Sequence, residues 1–189
     1  MRIITGTARG TRLKTLEGTD TRPTTEICKE GVFSAIQFDI ADRKVLDLFG
    51  GSGQMALEAL SRGAEFAVIA DNSRKACAVI KDNATATKMF KNCRIVCADW
   101  QEYVRGNAGK EQFGLVFLDP PYTPGLLDEI IKRLIYTGLL SDDAIIVAES
   151  ARDGVPEPVE GFRTKLYRYG KTYVSILRRE SEAEREGAE

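Results

Sequence analysis

The sequence predicts an α/β protein with a doubly wound, mainly parallel sheet that closes with an antiparallel hairpin. Between residues 44 and 148, short apolar segments typical of buried strands alternate with longer segments whose apolar residues recur at helical spacing. Near the end, two strand-like segments follow one another with only Gly170 and Lys171 between them. Alternating strands and helices indicate a parallel sheet with helices on both faces, and a short connection indicates antiparallel neighbours.

A small extension precedes the alternating pattern. Residues 2–5 and 12–16 are predicted as short strands around a glycine-containing turn. After a loop, Thr24 or Thr25 can cap a helix that runs to about residue 37. Its apolar residues recur at i, i+4, i+7 and i+8 from Cys28, so they share one helical face.

The alternating part is predicted as five strands and the helices that connect them, and the closing hairpin supplies two more strands. A glycine, Gly63, ends the first of these helices. The predicted strands are residues 45–49, 66–70, 94–98, 114–118, 144–148, 162–169 and 172–177, and the predicted helices are residues 54–62, 73–90 and 124–136.

The absence of histidine excludes several kinds of active site. It removes the Ser-His-Asp triad, Cys–His pairs, imidazole base catalysis and His-ligated zinc. No C-x-x-C pair occurs, and Cys93-x-x-x-Cys97 supplies too few ligands, so no metal is expected. We expect these two cysteines, with Cys28 and Cys77, to be reduced and mostly buried, as in a cytosolic protein.

Charge is unevenly distributed, although the net charge is only −1. The first fourteen residues hold Arg2, Arg9, Arg12 and Lys14 and no acid, whereas residues 180–189 hold five Glu and one Arg. A basic segment of this kind indicates an anionic partner without establishing one.

The chain is predicted to consist of an N-terminal extension, residues 1–39, a core, residues 40–178, and a disordered acidic tail, residues 179–189. No signal peptide is seen, and no apolar run approaches the ~20 residues that a membrane helix needs. We therefore expect a cytoplasmic protein with no membrane partner.

A glycine-rich turn, D-L-F-G-G-S-G, follows the first core strand and precedes a helix. Ligands of doubly wound sheets bind beyond the carboxyl ends of the strands. Gly50, Gly51 and Gly53 let the backbone turn tightly and approach such a ligand closely. Asp71, eighteen positions after Gly53, is placed to hold ribose hydroxyls, and Asp99 could reach an adenine amine.

Asp47, the acid that opens this turn, separates the candidate cofactors. The glycine spacing is weak alone, because Ala56 stands where the dinucleotide fingerprint tolerates alanine. An acid can bind the ammonium of S-adenosylmethionine, whereas it would repel a pyrophosphate. The turn therefore favours S-adenosylmethionine over a dinucleotide.

A second motif, Asp119-Pro120-Pro121-Tyr122, directly follows the apolar strand at 114–118. The prolines stiffen the loop and lack N–H groups, so it presents two acceptors, the Asp119 carboxylate and the Pro120 carbonyl. Two acceptors suit an exocyclic amine with two N–H donors, and Tyr122 offers a face on which a planar base can stack. Methyl transfer to such an amine depends mainly on positioning and electrostatics, and needs neither histidine nor metal.

Together these motifs resemble the class I methyltransferases, with their Rossmann-like fold, that use S-adenosylmethionine to modify amino groups. More narrowly, residues 1–178 resemble the RsmD family, bacterial enzymes that methylate the N2 amine of one guanine in 16S ribosomal RNA. The residues that carry this resemblance are M-R-I-I at 1–4, R-G at 9–10, R-L-K at 12–14, R-P-T-T at 22–25, Lys29, Glu30, Phe33, residues 46–64 and D-P-P-Y.

The resemblance implies a seven-stranded sheet, an extension that grips RNA, and roles for individual residues. Asp47, Gly50, Gly51 and Gly53 would line the methionine end of the cofactor. Asp71 would take the ribose position, where relatives commonly have Glu, and Asp99 the adenine side. The D-P-P-Y residues would hold the guanine, while the basic residues Arg2, Arg9, Arg12, Lys14 and Arg22 could contact phosphates.

The implied partner is 16S rRNA, within the assembling or assembled 30S subunit, bound by a monomer. The alternatives are a DNA adenine-N6 methyltransferase, although no separate target-recognition domain is seen, and a non-catalytic RNA-binding assembly factor. A glutamine-N5 protein methyltransferase is disfavoured because that group typically has Asn in place of Asp119. A dinucleotide-dependent oxidoreductase has the least support.

Overall fold

The computed structural model describes residues 1–16 and 26–181. The predicted loop, the caps Thr24 and Thr25, Arg22 and most of the acidic tail lie outside these ranges. The helices are α1 Glu26–Ala35, α2 Gln54–Ser61, α3 Arg74–Ala86, α4 Trp100–Asn107 and α5 Leu126–Tyr136. The strands are β1 Lys44–Asp47, β2 Phe66–Asp71, β3 Cys93–Cys97, β4 Phe113–Leu118, β5 Leu140–Ser150, β6 Phe162–Tyr169 and β7 Thr172–Arg179.

The strands form one seven-stranded sheet in the order β3-β2-β1-β4-β5-β7-β6. Strands β1 to β5 pair in parallel, and β7 runs antiparallel between β5 and β6. The strand order reverses between β1 and β4, which is the switch point where ligands of such sheets bind. The predicted doubly wound, mainly parallel sheet with a C-terminal hairpin is confirmed.

Helices cover both faces of the sheet and bury an apolar cluster on each. The first cluster joins α1, α2 and α3 with the N-terminal extension and includes Ile3, Phe33, Leu57 and Ile80. The second lies under α4 and α5 and includes Tyr103, Ile130, Ile131 and Leu134. Burial on both faces explains why the central strands read as continuous apolar runs.

Helix α3 is shorter than the predicted 73–90. Ser73 caps it, because its hydroxyl accepts the Ala76 N–H at 3.3 Å. The helix ends at Ala86, and Lys88 then adopts a left-handed φ of 62°. This turn redirects the chain into β3, which begins at Cys93.

Helix α4 is absent from the sequence prediction. Asp99 caps it by accepting the Gln101 N–H at 2.8 Å, and Trp100, Tyr103 and Val104 form its buried face. Only three of its eight residues are buried, so its apolar pattern is too short to stand out in the sequence.

The two predicted N-terminal strands reduce to one antiparallel bridge between Arg2 and Arg12. On either side of this bridge, the Ile3 N–H donates to the Thr11 carbonyl and the Leu13 N–H to the Met1 carbonyl, both at 3.0 Å. The N–H groups of Ile4 and Thr5 donate to the Glu58 carboxylate at 2.8 and 2.9 Å. The segment is therefore a very short hairpin that is docked on α2.

The cysteines differ in burial more than predicted. All four are free thiols, but only Cys28 is buried, while Cys77 and Cys93 are half-buried and Cys97 is exposed. The last two lie on β3, the edge strand of the sheet, which has a neighbour on one side only. Among the described residues, no helix is long and apolar enough to span a membrane, and no cluster of metal-ligating side chains occurs.

Candidate active site

A cleft of about 720 Å³ opens at the carboxyl edge of the parallel strands. Its volume lies within the range that small-molecule and cofactor sites occupy. The two sequence motifs meet here, together with Met1, Thr15 and Leu16 from the N-terminal extension. The predicted site residues that border it are Asp47, Gly50, Gly51, Asp71, Asp99, Asp119, Pro120, Pro121 and Tyr122.

The glycine turn depends on the absence of side chains at two positions. The Gly50 N–H donates to the Ala70 carbonyl at 2.9 Å, so this loop lies against β2. A Cβ at Gly50 would lie 2.5 Å from Ile69 Cγ2, which leaves no room for a larger residue. Gly53 does not border the cleft; its left-handed φ of 78° turns the chain into α2.

Asp71 connects the second strand to the glycine turn. One carboxylate oxygen accepts the Gly51 N–H at 2.9 Å, and the other accepts the Ser73 N–H at 2.8 Å. Each oxygen retains a lone pair, so the carboxylate can still accept ligand hydroxyls. Asp71 therefore holds the turn in place in addition to facing the cleft.

Asp47 is an almost fully buried acid, with 4% of its surface exposed. Burial raises the pKa of its carboxyl to about 7, and the negative charge of Asp71 adds to this effect. The backbone N–H groups of Phe49 and Ala56 donate to it and act in the opposite direction on the pKa. A cation bound in the cleft would favour the ionised form.

Gln54 and Trp100 border the cleft but do not figure in the sequence prediction. Gln54 is 8% exposed, and its Oε1 has no hydrogen-bond partner among the residues that the structure describes. A buried amide oxygen without a donor requires one from a ligand or water. The only sequence signal for Gln54 is its place directly after the glycine turn.

Asp99 is exposed at the outer end of the cleft, where it also caps α4. The neighbouring Trp100 is 8% exposed and borders the same end. Its ring supplies an apolar wall for a planar group, next to the acidic acceptor that the sequence predicts for an adenine amine.

The Asp119 loop forms the other end of the cleft. Asp119 is half-buried, and Pro120 is buried behind it. Burial, followed by the charges of Glu149 and Asp47, raises the pKa of Asp119 well above its usual value. Tyr122 is 40% exposed, so much of its ring remains accessible to a ligand.

Glu149 is a third acid in this cleft and is also missing from the sequence prediction. It lies near the end of β5, is 7% exposed, and accepts a long hydrogen bond from the Tyr122 hydroxyl at 3.5 Å. In the sequence it is a single acid after a buried apolar strand, at the edge where ligands bind. Asp47, Asp119 and Glu149 together make the floor of the cleft acidic.

None of the described basic N-terminal residues lines the cleft, although Met1 and Thr15, which are next to two of them in sequence, do. Arg2, Arg9, Arg12 and Lys14 are all exposed. Arg2 forms a 3.7 Å ion pair and Lys14 a 2.7 Å ion pair with acids on α1 and α3. The side chains of Arg9 and Arg12 form no ion pair within residues 1–16 and 26–181.

Asn83 on α3 ties this segment to the glycine turn. Its buried amide donates to the Lys14 carbonyl at 3.0 Å and to the Ser52 carbonyl at 2.8 Å. Its Oδ1 accepts the Lys14 N–H at 2.8 Å. One side chain therefore holds the predicted RNA-binding segment and the predicted cofactor loop together.

Comparison with known proteins decides the family. The chain matches the family model described as Conserved hypothetical protein 95 over residues 1–178. It is 36% identical, over 157 residues, to the ribosomal RNA small subunit methyltransferase D of Escherichia coli (strain K12), covering 82% of this chain and 78% of that protein. The chain belongs to the RsmD family. The match includes the extension, the cleft and all but the last residue of the sheet.

Two further comparisons extend over nearly the whole chain. The YlbH protein of Bacillus subtilis (strain 168) is 36% identical over 182 residues, covering 95% of this chain and 99% of that relative. A solved structure of the yhhF protein from Escherichia coli has a TM-score of 0.85 at 32% identity, covering 96% of this chain and 99% of that one. The RsmD-family resemblance noted from the motifs is therefore confirmed.

Proposed function

We propose that this protein transfers a methyl group from S-adenosylmethionine to the exocyclic N2 amine of a guanine in 16S rRNA. The observation that carries the proposal is the continuity of the cleft, which joins the glycine turn at one end to the Asp119 loop at the other. Family membership supports an RNA substrate, because the Escherichia coli relative is named as a methyltransferase of small-subunit ribosomal RNA.

The residues at the glycine end fit S-adenosylmethionine. When bound, this cofactor supplies a methyl group on a positively charged sulfur, which an amine lone pair can attack. Asp47 would hold the ammonium of its methionine part, and the unpartnered Gln54 Oε1 would accept one of the N–H groups there. Asp71 would accept the ribose hydroxyls, and Asp99 with Trp100 would receive the adenine.

The residues at the other end fit a base with an exocyclic amine. The Asp119 carboxylate and the Pro120 carbonyl would accept its two N–H groups and orient the nitrogen lone pair along the cleft. Tyr122 would stack on the base; such stacking contributes ~1–3 kcal/mol. After transfer the methylated amine is positively charged and releases a proton readily, so no strong base is required and a nearby acceptor such as the Asp119 carboxylate is sufficient.

The extension, residues 1–39, would grip the RNA through its exposed basic residues. Arg9 and Arg12 are the best placed, since within the described part of the chain no acid neutralises them. We infer that Arg9→Glu combined with Arg12→Glu weakens RNA binding and lowers its salt dependence. Equal affinity and salt slope in this variant would exclude the extension as the grip.

The deciding experiment measures labelled methyl transfer from S-adenosylmethionine to 30S particles purified from cells that lack the endogenous enzyme. Naked 16S RNA and DNA are assayed in parallel, and the modified nucleoside is identified. We expect label in N2-methylguanosine, from a cytoplasmic, monomeric enzyme. Label in N6-methyladenine would indicate a DNA enzyme, and cofactor binding without transfer would indicate a binding factor.

An Asp119→Ala variant separates chemistry from cofactor binding. We expect it to lose methyl transfer while retaining its affinity for S-adenosylmethionine, because Asp119 lies at the base end of the cleft. Equilibrium binding of the cofactor, measured on the same preparation, is the control. Unchanged turnover would remove Asp119 from the catalytic assignment.

A further inference from the structure

The β6–β7 hairpin carries a cluster of positive charge that neither motif explains. Residues 162–173 contain Arg163, Lys165, Arg168 and Lys171 and no acid. All four side chains are exposed, and none forms an ion pair within the described residues. Four unpaired cations on one hairpin mark it as a candidate surface for an anion.

Strand register places the tip of this hairpin at the cleft. Ser150, the last residue of β5, pairs with Tyr173, which in turn pairs with Arg168. The preceding pair, Glu149 with Val174, has both of its residues bordering the cleft. Arg168 and the tip beyond it therefore lie at the rim, beside the end where a base would enter. Arg163 lies five residues back along β6, or ~16 Å at the usual rise of a strand.

The tip is organised by its own contacts. The Arg168 Nε donates to the Gly170 carbonyl at 3.0 Å, and its guanidinium lies 5.6 Å from the centre of the Tyr173 ring. These contacts restrain a long side chain that would otherwise lose entropy on binding. On the same hairpin, Tyr167 and Tyr169 stack with an interplanar angle of 5° and ring centres 6.4 Å apart.

The acidic floor of the cleft indicates where the phosphates of a bound RNA strand can lie. The floor holds Asp47, Asp119 and Glu149, whose ionised carboxylates repel phosphates, so the backbone of a bound strand is expected to stay outside the cleft. Helix α1 of the N-terminal extension packs against the hairpin, where Gly31 meets Tyr169. Residues 1–16 lie elsewhere, because they are bonded to α2 and α3. These helices pack against β1, β2 and β3, whereas the hairpin lies beyond β5, on the other side of the cleft.

We propose that the hairpin tip, Arg168 and Lys171, is a second RNA-binding surface that holds the phosphates next to the target nucleotide, on the side of the cleft away from the basic residues 1–14. This proposal rests on the proposed RNA substrate. It assigns positioning, not chemistry, to the two residues. With cations on both rims, the backbone of a single strand can span the cleft while one base descends to Asp119.

The test is the double variant Arg168→Glu with Lys171→Glu. Binding to naked 16S RNA is measured across a series of salt concentrations, with S-adenosylmethionine affinity as a second readout. We expect RNA affinity to fall about tenfold or more. The slope of the logarithm of the RNA association constant against the logarithm of the salt concentration should decrease in magnitude by about 1.4, because each of two phosphate contacts on a single strand contributes ~0.7. Methyl transfer should show a raised KM for RNA, and cofactor affinity should not change.

The matched control is Arg105→Glu with Lys110→Glu, which changes the net charge equally. Both side chains are exposed, and Lys110 lies just before β4, at the amino edge of the sheet and away from the cleft. An equal loss of affinity in the control would overturn the proposal, because a general charge effect would then explain the result. A milder variant, Arg168→Ala with Lys171→Ala, should show a smaller loss in the same direction.

The outcomes separate this proposal from the proposed function. If the unmodified protein methylates RNA and the tip variant binds RNA as the control does, the hairpin proposal alone fails. If the unmodified protein transfers no methyl group to any RNA, the proposed function fails. If the tip variant loses activity on 30S particles but keeps its affinity for naked RNA, the tip contacts a ribosomal protein and the RNA proposal is overturned.

Discussion

Replacing Glu58 with Gln should destabilise the protein severely and detach the N-terminal segment. Glu58 and Lys29 are fully buried partners, with their charged atoms 3.1 Å apart. The same carboxylate accepts the N–H groups of Ile4 and Thr5 and the Arg62 Nε at 2.9 Å. Gln keeps the shape of the side chain but removes the charge, so the Lys29 ammonium, whose Nζ also donates to the Arg2 carbonyl, loses its anion.

The magnitude follows from the burial of the pair. Removing one partner of a buried ion pair costs ~3–5 kcal/mol, which at ~2–4 °C per kcal/mol lowers Tm by roughly 6–20 °C for a chain of this size. Burial already lowers the pKa of Lys29, so deprotonation offers partial relief. Thermal and urea unfolding followed by circular dichroism measures the change. The exposed Glu65→Gln is the control, with an expected effect of at most ~0.5 kcal/mol.

A double variant tests whether the charge of Glu58 or its hydrogen bonds contribute more to the stability of the protein. Combining Glu58→Leu with Lys29→Met removes both charges and should recover part of the lost stability, since apolar residues can replace buried ion pairs. Recovery should be incomplete, because the N–H groups of Ile4 and Thr5 remain without an acceptor. A Glu58→Gln protein that melts within ~1 °C of the unmodified protein would refute this reasoning, because it would show that the buried pair contributes little.

Three further predictions concern the cofactor end of the cleft. Asn83→Leu should weaken S-adenosylmethionine binding, measured by calorimetry, because the Ser52 and Lys14 carbonyls lose their shared donor; unchanged affinity would show that the turn is held without it. Gly50→Ala should also weaken binding, because its new methyl group would lie 2.5 Å from a β2 side chain; a variant with normal affinity would contradict the steric argument. The affinity for S-adenosylmethionine should rise as the pH increases towards about 7, because the pKa of Asp47 is raised to about 7 and a cationic ligand requires its ionised form. Binding should therefore release a proton. An Asp47→Asn protein that kept this pH dependence would contradict the assignment.

Much of the fold was predictable because its signals are local. The central strands contain apolar runs, the closing hairpin is marked by its short Gly170-Lys171 connection, and each predicted strand overlaps the observed one. The glycine turn and the Asp119 loop were predictable for the same reason, since each is a continuous motif at the end of a strand. Helix α4 escaped prediction because its buried face is only three residues long.

The residues missed by the sequence prediction acquire their roles through distant contacts. Glu58 and Asn83 look like ordinary polar helix residues, yet they bind backbone groups 54 and 69 positions away in the chain. Glu149 is a single acid near the end of a strand, and only the sheet brings it to the Tyr122 hydroxyl. The Gln54 Oε1 is identified as a buried oxygen without a hydrogen-bond partner among the described residues only from the folded structure, where the start of α2 is buried at the cleft.

The sequence by itself determined the order of the elements, the position of the two motifs and the family, because each depends on residues close together in the chain. The tertiary structure alone decided which side chains share the cleft, and that the hairpin tip stands at its rim. These depend on strand order and register, which arise from pairing between strands that are separate in the chain, such as Val45 with Leu115 and Ser150 with Tyr173. The raised pKa values of Asp47 and Asp119 are also not encoded in any motif, because they result from the burial of these side chains in the folded protein.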